Sequence, residues 1–305
     1  MAITQVLKAR FLRRQFVSLF AVFLPLCPGC VRFESQSDDK FEVPPAPSSS
    51  VQEDDEGDIE ALVARLEKET RRVKERRGAR LYRTTCATCH GVSGRGNGPS
   101  SRGLDPQPRD FTLGVFKWRS TESGSLPLDE DIFRTISRGI PGTLMVSWKD
   151  LLSEEQRWDL VAHVKSFSSR FEEEGVEEEE IVEIPEETPA ATSESIARGK
   201  EVFEFNKCWE CHGRGGQGDG PSAATLKDSR GRPIKPFDFT LGRYRCGGTD
   251  RDIYRTFFTG LNGTPMPSFA DTISAEDRWP LVHYVRTLQR KPGFLERVMF
   301  KVPWP

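Results

Sequence analysis

An internal duplication constrains the fold of this chain more than any other feature of its 305 residues. Four segments recur in the same order, at offsets between 121 and 128 residues. They are CATCHG at 86–91 with CWECHG at 208–213, DFTLG at 110–114 with 238–242, DIFRT at 131–135 with DIYRT at 252–256, and RWDLVAHV at 157–164 with RWPLVHYV at 278–285. One unit of roughly 90 residues is therefore present twice, and we predict two domains of the same fold.

Each copy contains the run Cys-X-X-Cys-His. Two thiols spaced in this way on a helical turn reach the two vinyl groups of one haem, and the adjacent histidine then lies under the iron as its proximal ligand. CxxC pairs also bind zinc, but the two pairs here are 122 residues apart, whereas those of a zinc ribbon are about 15–20 apart. We therefore predict two covalently bound haem c groups, held by Cys86, Cys89 and His90 in the first copy and by Cys208, Cys211 and His212 in the second.

Two methionines occupy equivalent places in the repeat. The chain has only four methionines, yet Met145 in GIPGTLMVSW and Met266 in GLNGTPMPSF lie 121 residues apart. A low-spin haem iron needs a sixth ligand, and a soft thioether stabilises its ferrous state. We predict that Met145 and Met266 are the distal ligands of the two haem irons. A zinc site would leave both methionines without a role.

With these motifs, the chain resembles class I c-type cytochromes, and the tandem pair resembles a dihaem cytochrome c of bacterial respiratory chains. The resemblance covers roughly 78–170 and 198–290. It implies two tandem helical haem domains with thioether bonds at the four motif cysteines. It also implies that Pro99 and Pro221, nine residues after each histidine, accept the imidazole N–H through their carbonyls. The glycine-rich loops GRGNGPS and GQGDGPS follow a haem motif rather than a strand, so we expect no nucleotide site.

The helical pattern predicts an all-α fold. Gly78 with Tyr82, and Gly199 with Phe203, each place a glycine and an aromatic ring on one helix face. In the family this face crosses the last helix of the domain closely. A Ser-x-x-Gln capping box predicts that the last helix of the first copy begins at Ser153. In the second copy, Pro280 predicts a later start or a bend.

The regions outside the repeats divide the rest of the chain. We predict a signal peptide or lipoprotein signal at 1–30, a flexible, disordered tether at 31–57, a charged helix at 58–77, the first domain at 78–170, an acidic linker at 171–197, the second domain at 198–290 and a C-terminal tail at 291–305. The linker holds ten glutamates between 172 and 187, which is typical of a solvated segment.

The N-terminus predicts export. Four cationic residues precede an apolar run of about a dozen residues, which is the layout of a secretory signal and is short for a membrane span of about 20. Cys30 follows Gly29 as in a bacterial lipoprotein signal, so we predict lipidation there, with Cys27 or an uncleaved anchor as alternatives. The protein is then expected at the periplasmic or extracytoplasmic face of a bacterial membrane.

A few polar residues lie outside these motifs. Cys246, His163 and His283 have no matched partner in the repeat. We predict a structural thiol at Cys246 and a surface or haem-edge position for each of the two histidines. Four cations follow the DFTLG segments, and each is a candidate partner for a haem propionate or a solvated loop charge. They are Lys117, Arg119, Arg243 and Arg245. The net charge of −2 gives no indication of nucleic acid binding.

The sequence therefore predicts an exported dihaem cytochrome that passes single electrons between a donor and an acceptor protein, without acid or base catalysis. A subunit of a larger oxidoreductase or terminal oxidase would have the same motifs. A dihaem peroxidase is a third hypothesis, but it needs an iron whose sixth position opens, and two matched methionines argue against that.

Overall fold

A computed structural model of the chain describes residues 55–290, and the side chains of 58–290. The predicted signal, its cysteines Cys27 and Cys30, nearly all of the predicted tether and the tail at 291–305 lie outside the described residues. Within 55–290, every helix is too short or too polar to cross a membrane.

The described chain is helical, as predicted, and has two isolated β-bridges but no strands in residues 55–290. The first domain contains α1 (Asp55–Thr85), α2 (Ala87–His90), α3 (Asp129–Arg138), α4 (Glu154–Lys165) and α5 (Arg170–Glu173). The second contains α6 (Ser193–Phe205), α7 (Trp209–His212), α8 (Asp250–Thr259) and α9 (Ala275–Thr287). Both domains belong to one compact unit.

Helix α1 crosses α4, and α6 crosses α9, at a glycine in each domain, which confirms the expected close contact. A Cβ on Gly78 of α1 would lie 2.1 Å from the carbonyl oxygen of Asp159 in α4. The buried aromatic rings of Tyr82 and Phe203, one turn after the two glycines, fill the space beside each crossing. The crossing fixes the end of the first helix, from which the CxxCH run continues.

The charged helix and the first helix of the first domain are one element, α1, although the sequence predicts separate segments. Residues 58–77 are rich in Ala, Leu, Glu, Lys and Arg, which favour a helix, and no proline interrupts them. Gly78 does not break the helix. Because glycine has no side chain, α1 can lie in close contact with α4 at this position.

The helix starts differ in how well the sequence predicts them. Ser153 and Gln156 form the predicted capping box, with hydrogen bonds of 3.2 and 2.8 Å between side chains and backbone. The expected delay at Pro280 is wrong, because α9 begins at Ala275 and contains the proline. The carbonyl that loses its helical partner at Pro280 belongs to Glu276, in the exposed first turn of α9.

The acidic linker is bound to both domains rather than solvated along its whole length. Ile181 forms an antiparallel bridge with Thr121, and the Val182 N–H donates to the Ser120 carbonyl at 2.8 Å. Val182 and Ile184 pack against the core of the second domain. These two apolar residues attach the segment to the second domain, while Glu183 between them remains exposed.

Candidate functional site

The two CxxCH runs have the same structure. Cys86 and Cys208 directly precede the short helices α2 and α7, which carry the second cysteine and the histidine. The His90 N–H donates to the Cys86 carbonyl at 2.9 Å and the His212 N–H to the Cys208 carbonyl at 3.0 Å. One helical turn thus brings two half-buried free thiols and an imidazole together. Burial raises the pKa of the Cys208 thiol to about 12.

The two imidazoles are oriented by backbone carbonyls. His90 Nδ1 donates to the Arg109 carbonyl at 3.3 Å, and His212 Nδ1 donates to the Phe237 carbonyl at 3.1 Å. Because Nδ1 carries the proton, the lone pair of Nε2 is left free for a metal. Burial lowers the pKa of both imidazoles, which favours the neutral form that ligates iron. The histidines therefore fit a haem iron.

The expected role of Pro99 and Pro221 in this hydrogen bond is wrong. Both prolines are exposed, beyond a loop that folds back onto the attachment helix, where the Gly98 N–H donates to the Cys89 carbonyl at 3.1 Å. The accepting carbonyls come from the later segments PRDFTLG and PFDFTLG. The second occurrence of Pro-X-Asp-Phe-Thr-Leu-Gly is the sequence signal that could have identified them.

The same segments also place an aromatic ring on each imidazole. Phe111 stacks on His90 with ring centroids 4.6 Å apart, and Phe239 stacks on His212 at 4.4 Å. Asp110 and Asp238 cap these turns by accepting the backbone N–H groups two residues on. Each DFTLG segment thus restricts the imidazole by a hydrogen bond and by packing.

The two methionines lie in loops of matching shape. The Met145 carbonyl accepts from the Ile140 N–H at 2.9 Å, and the Met266 carbonyl accepts from the Leu261 N–H at 3.1 Å. Each methionine N–H donates to the hydroxyl of a threonine two residues earlier. Both side chains are half-buried.

The surroundings of the two methionines differ. Met266 packs against the same buried core as Cys208, so that core joins one predicted distal ligand to one predicted thioether residue. Among the described residues, Met145 is not part of the corresponding first core, against which Cys86 packs. Leu144 is 71% exposed and Val146 is 52% exposed. The Met145 loop is therefore the less enclosed.

Neither of the two other histidines is exposed, since His163 is half-buried and His283 is buried. His163 packs edge-on against Tyr82 at the crossing of α1 and α4, with ring centroids 5.0 Å apart. His283 is buried, and its Nε2 donates to the Pro189 carbonyl at 3.0 Å while Nδ1 accepts from the Ser195 hydroxyl at 2.6 Å. It joins the acidic linker to α6 and α9.

Of the four candidate cations, Arg243 is exposed, and the other three separate into two kinds. Arg119 is completely buried and donates to backbone carbonyls, so it is neither a solvated charge nor aimed at a haem carboxylate. Lys117 and Arg245 form no ion pair within the described part of the chain, and they repel each other across the contact between the domains. Burial, with the nearby charges of Arg109 and Arg245, lowers the pKa of Lys117 to about 8.

Cys246 packs against the buried core of the second domain. Burial raises its pKa to about 11. Within residues 58–290, no group of three or more Cys, His, Asp or Glu side chains is arranged so that these side chains alone could hold a metal ion.

Comparison with known families identifies both domains. Residues 73–164 match the family model described as cytochrome c oxidase, cbb3-type, subunit III. Residues 196–289 match the cytochrome c family model. Cytochrome c of Theileria annulata is 31% identical over 100 residues, which are 31% of this chain and 86% of that protein. Cytochrome c of Theileria parva is 30% identical over 100 residues, which are again 31% of this chain and 86% of that protein.

A solved structure is similar to most of the chain. A chain of the Kuenenia stuttgartiensis reducing HAO-like protein complex is 50% identical, with a TM-score of 0.66. The similarity covers 70% of this chain and 96% of that one. Together with two matched domains and the free Nε2 atoms of His90 and His212, these likenesses identify the chain as a member of the c-type cytochrome family, a dihaem protein with one covalently bound haem c in each of two tandem domains.

Proposed function

We propose that this protein is an exported electron-transfer cytochrome that passes single electrons between a redox donor and an acceptor at the extracytoplasmic face of a bacterial membrane. Bound haem c supplies a one-electron couple at its iron. The observation that carries the proposal is the twofold occurrence of one site, with an oriented imidazole and a methionine loop in each domain.

In this proposal the chain binds, orients and encloses the two haems. The four motif cysteines form the thioether bonds, His90 and His212 are proximal ligands, and Met145 and Met266 are distal ligands. Arg109, Lys117 and Arg245 lie close enough to interact electrostatically and are cations suited to the haem propionates.

The His/Met arrangement favours electron transfer over peroxide chemistry. A peroxidase needs a sixth position that opens to substrate, whereas each domain here presents a methionine in a loop closed by its own backbone hydrogen bond. The experiment is a potentiometric titration of the purified full chain, combined with a peroxide turnover assay. We expect two reversible one-electron steps and negligible turnover, and rapid turnover would favour the peroxidase hypothesis.

A second candidate function is that of a subunit in a multi-protein redox complex. It is favoured by the 50% identity to a chain of the Kuenenia complex, almost all of which is matched. The native protein, extracted from its source cells and sized by sedimentation, distinguishes the two. A free carrier sediments alone, whereas a subunit sediments with a partner in a fixed ratio.

The membrane attachment is part of the proposal. The cationic and apolar N-terminus and the Gly29–Cys30 pair support export followed by lipidation. Mass spectrometry of the mature N-terminus tests it. An acylated Cys30 agrees with the proposal, and a chain cleaved elsewhere without acyl groups contradicts it.

A further inference from the structure

The loop that carries Met266 begins under a side chain from the other domain. Arg119 of the first domain is completely buried, and its Nη2 donates to the Thr259 carbonyl at 2.5 Å. Its Nη1 donates to the Gly260 carbonyl at 3.4 Å, and its Nε to the Glu122 carbonyl at 2.9 Å. One guanidinium thus joins a first-domain loop to the end of α8.

The chemistry of the end of a helix explains a cation there. The last carbonyls of α8 have no partner within the helix and carry partial negative charge. Burial lowers the pKa of Arg119 to about 10, so the guanidinium remains charged at neutral pH. A buried guanidinium that makes three carbonyl contacts has a defined position, unlike a flexible surface cation.

A tight turn links the site of the Arg119 contact to Met266. Gly260 has φ of 64°, and a Cβ there would lie 2.6 Å from the Ser268 backbone nitrogen. The start of the loop therefore packs against the residues that follow Met266. The Leu261 N–H holds the Met266 carbonyl at 3.1 Å. A shift at Gly260 thus displaces both sides of the methionine.

A second side chain fixes the same loop. The Asn262 Oδ1 atom accepts from the Gly124 N–H at 3.0 Å, and its Nδ2 donates to the Ser125 carbonyl at 3.4 Å. Gly263 also faces the first domain, since a Cβ there would lie 3.4 Å from a Val115 methyl carbon.

Among the described residues, no side chain of the second domain hydrogen-bonds to the backbone of the first domain's methionine loop, although Arg138, directly before that loop, contacts the second domain. The repeat places Gly247 opposite Arg119, and Pro141 opposite Asn262. Neither residue has a side chain that donates a hydrogen bond. Gly142, which corresponds to Gly263, has open space where a Cβ would stand. In the described part of the chain, a side-chain restraint on the loop backbone is therefore found from the first domain on the second, and not in the reverse direction.

We propose that Arg119 is a positioning residue for Met266, so that ligation of the second haem depends on the docked first domain. The inference rests on the proposed role of Met266 as distal ligand. Arg119 acts through Gly260 and does not itself touch the haem.

The test uses the full chain with both haems, in a Met145→Ala background. In that background the Met-to-iron charge-transfer band of the oxidised protein reports the second haem alone. We expect Arg119→Met to weaken this band and to raise the affinity of the second haem for imidazole by about tenfold, within the range of typical coupling between sites. Arg119→Lys should restore part of the band intensity and part of the low imidazole affinity, because lysine retains the positive charge.

The matched control is Arg138→Met. Arg138 also crosses between the domains, to the Cys246 carbonyl and to Asp252 at 3.2 Å, but it does not contact the methionine loop. We expect it to leave the band and the imidazole affinity unchanged. If both variants have the same effect, or if Arg119→Met has none, the positioning role is contradicted.

Two further outcomes are informative. If Arg119→Met does not fold, Asn262→Ala tests the same restraint, with a smaller gain in imidazole affinity expected and no gain contradicting the proposal. If the Met145→Ala protein itself has no Met-to-iron band, the ligand assignment within the proposed function fails. A band that persists unchanged in Arg119→Met contradicts the positioning role alone.

Discussion

A Cβ on Gly199 would lie 1.9 Å from the carbonyl oxygen of Pro280, closer than any real contact. The two residues mark the crossing of α6 and α9, from which the second CxxCH run continues. Gly199→Ala should therefore force the helices apart and lower the free energy of unfolding by about 1–3 kcal/mol or more. Thermal unfolding measures the change. Gly248→Ala, which has open space for a Cβ, is the control, and an equal loss in both variants would contradict the crossing argument.

The two haem sites should differ in exchange rate. The Met145 loop has exposed flanking residues and, among the described residues, no backbone hydrogen bond from a side chain of the second domain. The Met266 loop has prolines on both sides and contacts across the domains. We predict faster binding of imidazole or cyanide at the first haem. Stopped-flow spectroscopy of the oxidised protein, with Met145→Ala and Met266→Ala used to assign the phases, measures both rates. Equal rates would contradict this prediction.

The contact between the domains should weaken in acid. Burial raises the pKa of the Asp252 carboxyl, but the charge of Arg138 and hydrogen bonds from Thr249 outweigh burial and hold that pKa below its ordinary value. The stabilisation is therefore complete above the unfolded pKa of about 3.9 and is lost as the pH falls through the folded value.

Asp252→Asn should accordingly reduce the dependence of unfolding free energy on pH below about pH 4. Denaturant unfolding at several pH values measures that slope. Asp271→Asn, at an exposed carboxylate, is the control. An unchanged slope in Asp252→Asn would show that the ion pair with Arg138 does not contribute.

The acidic linker should depend on His283 for its attachment. Replacing His283 by Leu removes the hydrogen bonds to Pro189 and Ser195. We expect a glutamate-specific protease to cleave faster at the exposed Glu186 and Glu187. Ser195→Ala, which retains the bond to Pro189, should have a smaller effect. Equal cleavage rates in the wild type and His283→Leu would mean that the linker is held by other contacts.

The sequence predicts those features that depend on local spacing. The CxxCH helices and the capping box at Ser153 are set by residues a few positions apart, and the structure contains them. The close helix crossing at each glycine is implied by the family resemblance, and the structure contains it as well. The duplication also predicts two domains of one fold, which both family matches support.

Features that depend on distant contacts are not predicted. The backbone carbonyls of Arg109 and Phe237 accept hydrogen bonds from the imidazole N–H groups, so the side chains at these positions do not indicate the contact. The sequence around Arg119 is typical of a surface cation, whereas in the structure the second domain buries it. The many glutamates of the linker predict a solvated segment, although Val182 and Ile184 pack against the second domain.

The most direct test of the account is the Met-to-iron charge-transfer band of the oxidised full chain, compared among the wild type, Met145→Ala, Met266→Ala and the double variant. The account predicts a band that falls to about half in each single variant and disappears in the double variant, since each haem has one thioether ligand. A band of full strength in the double variant would contradict the central claim.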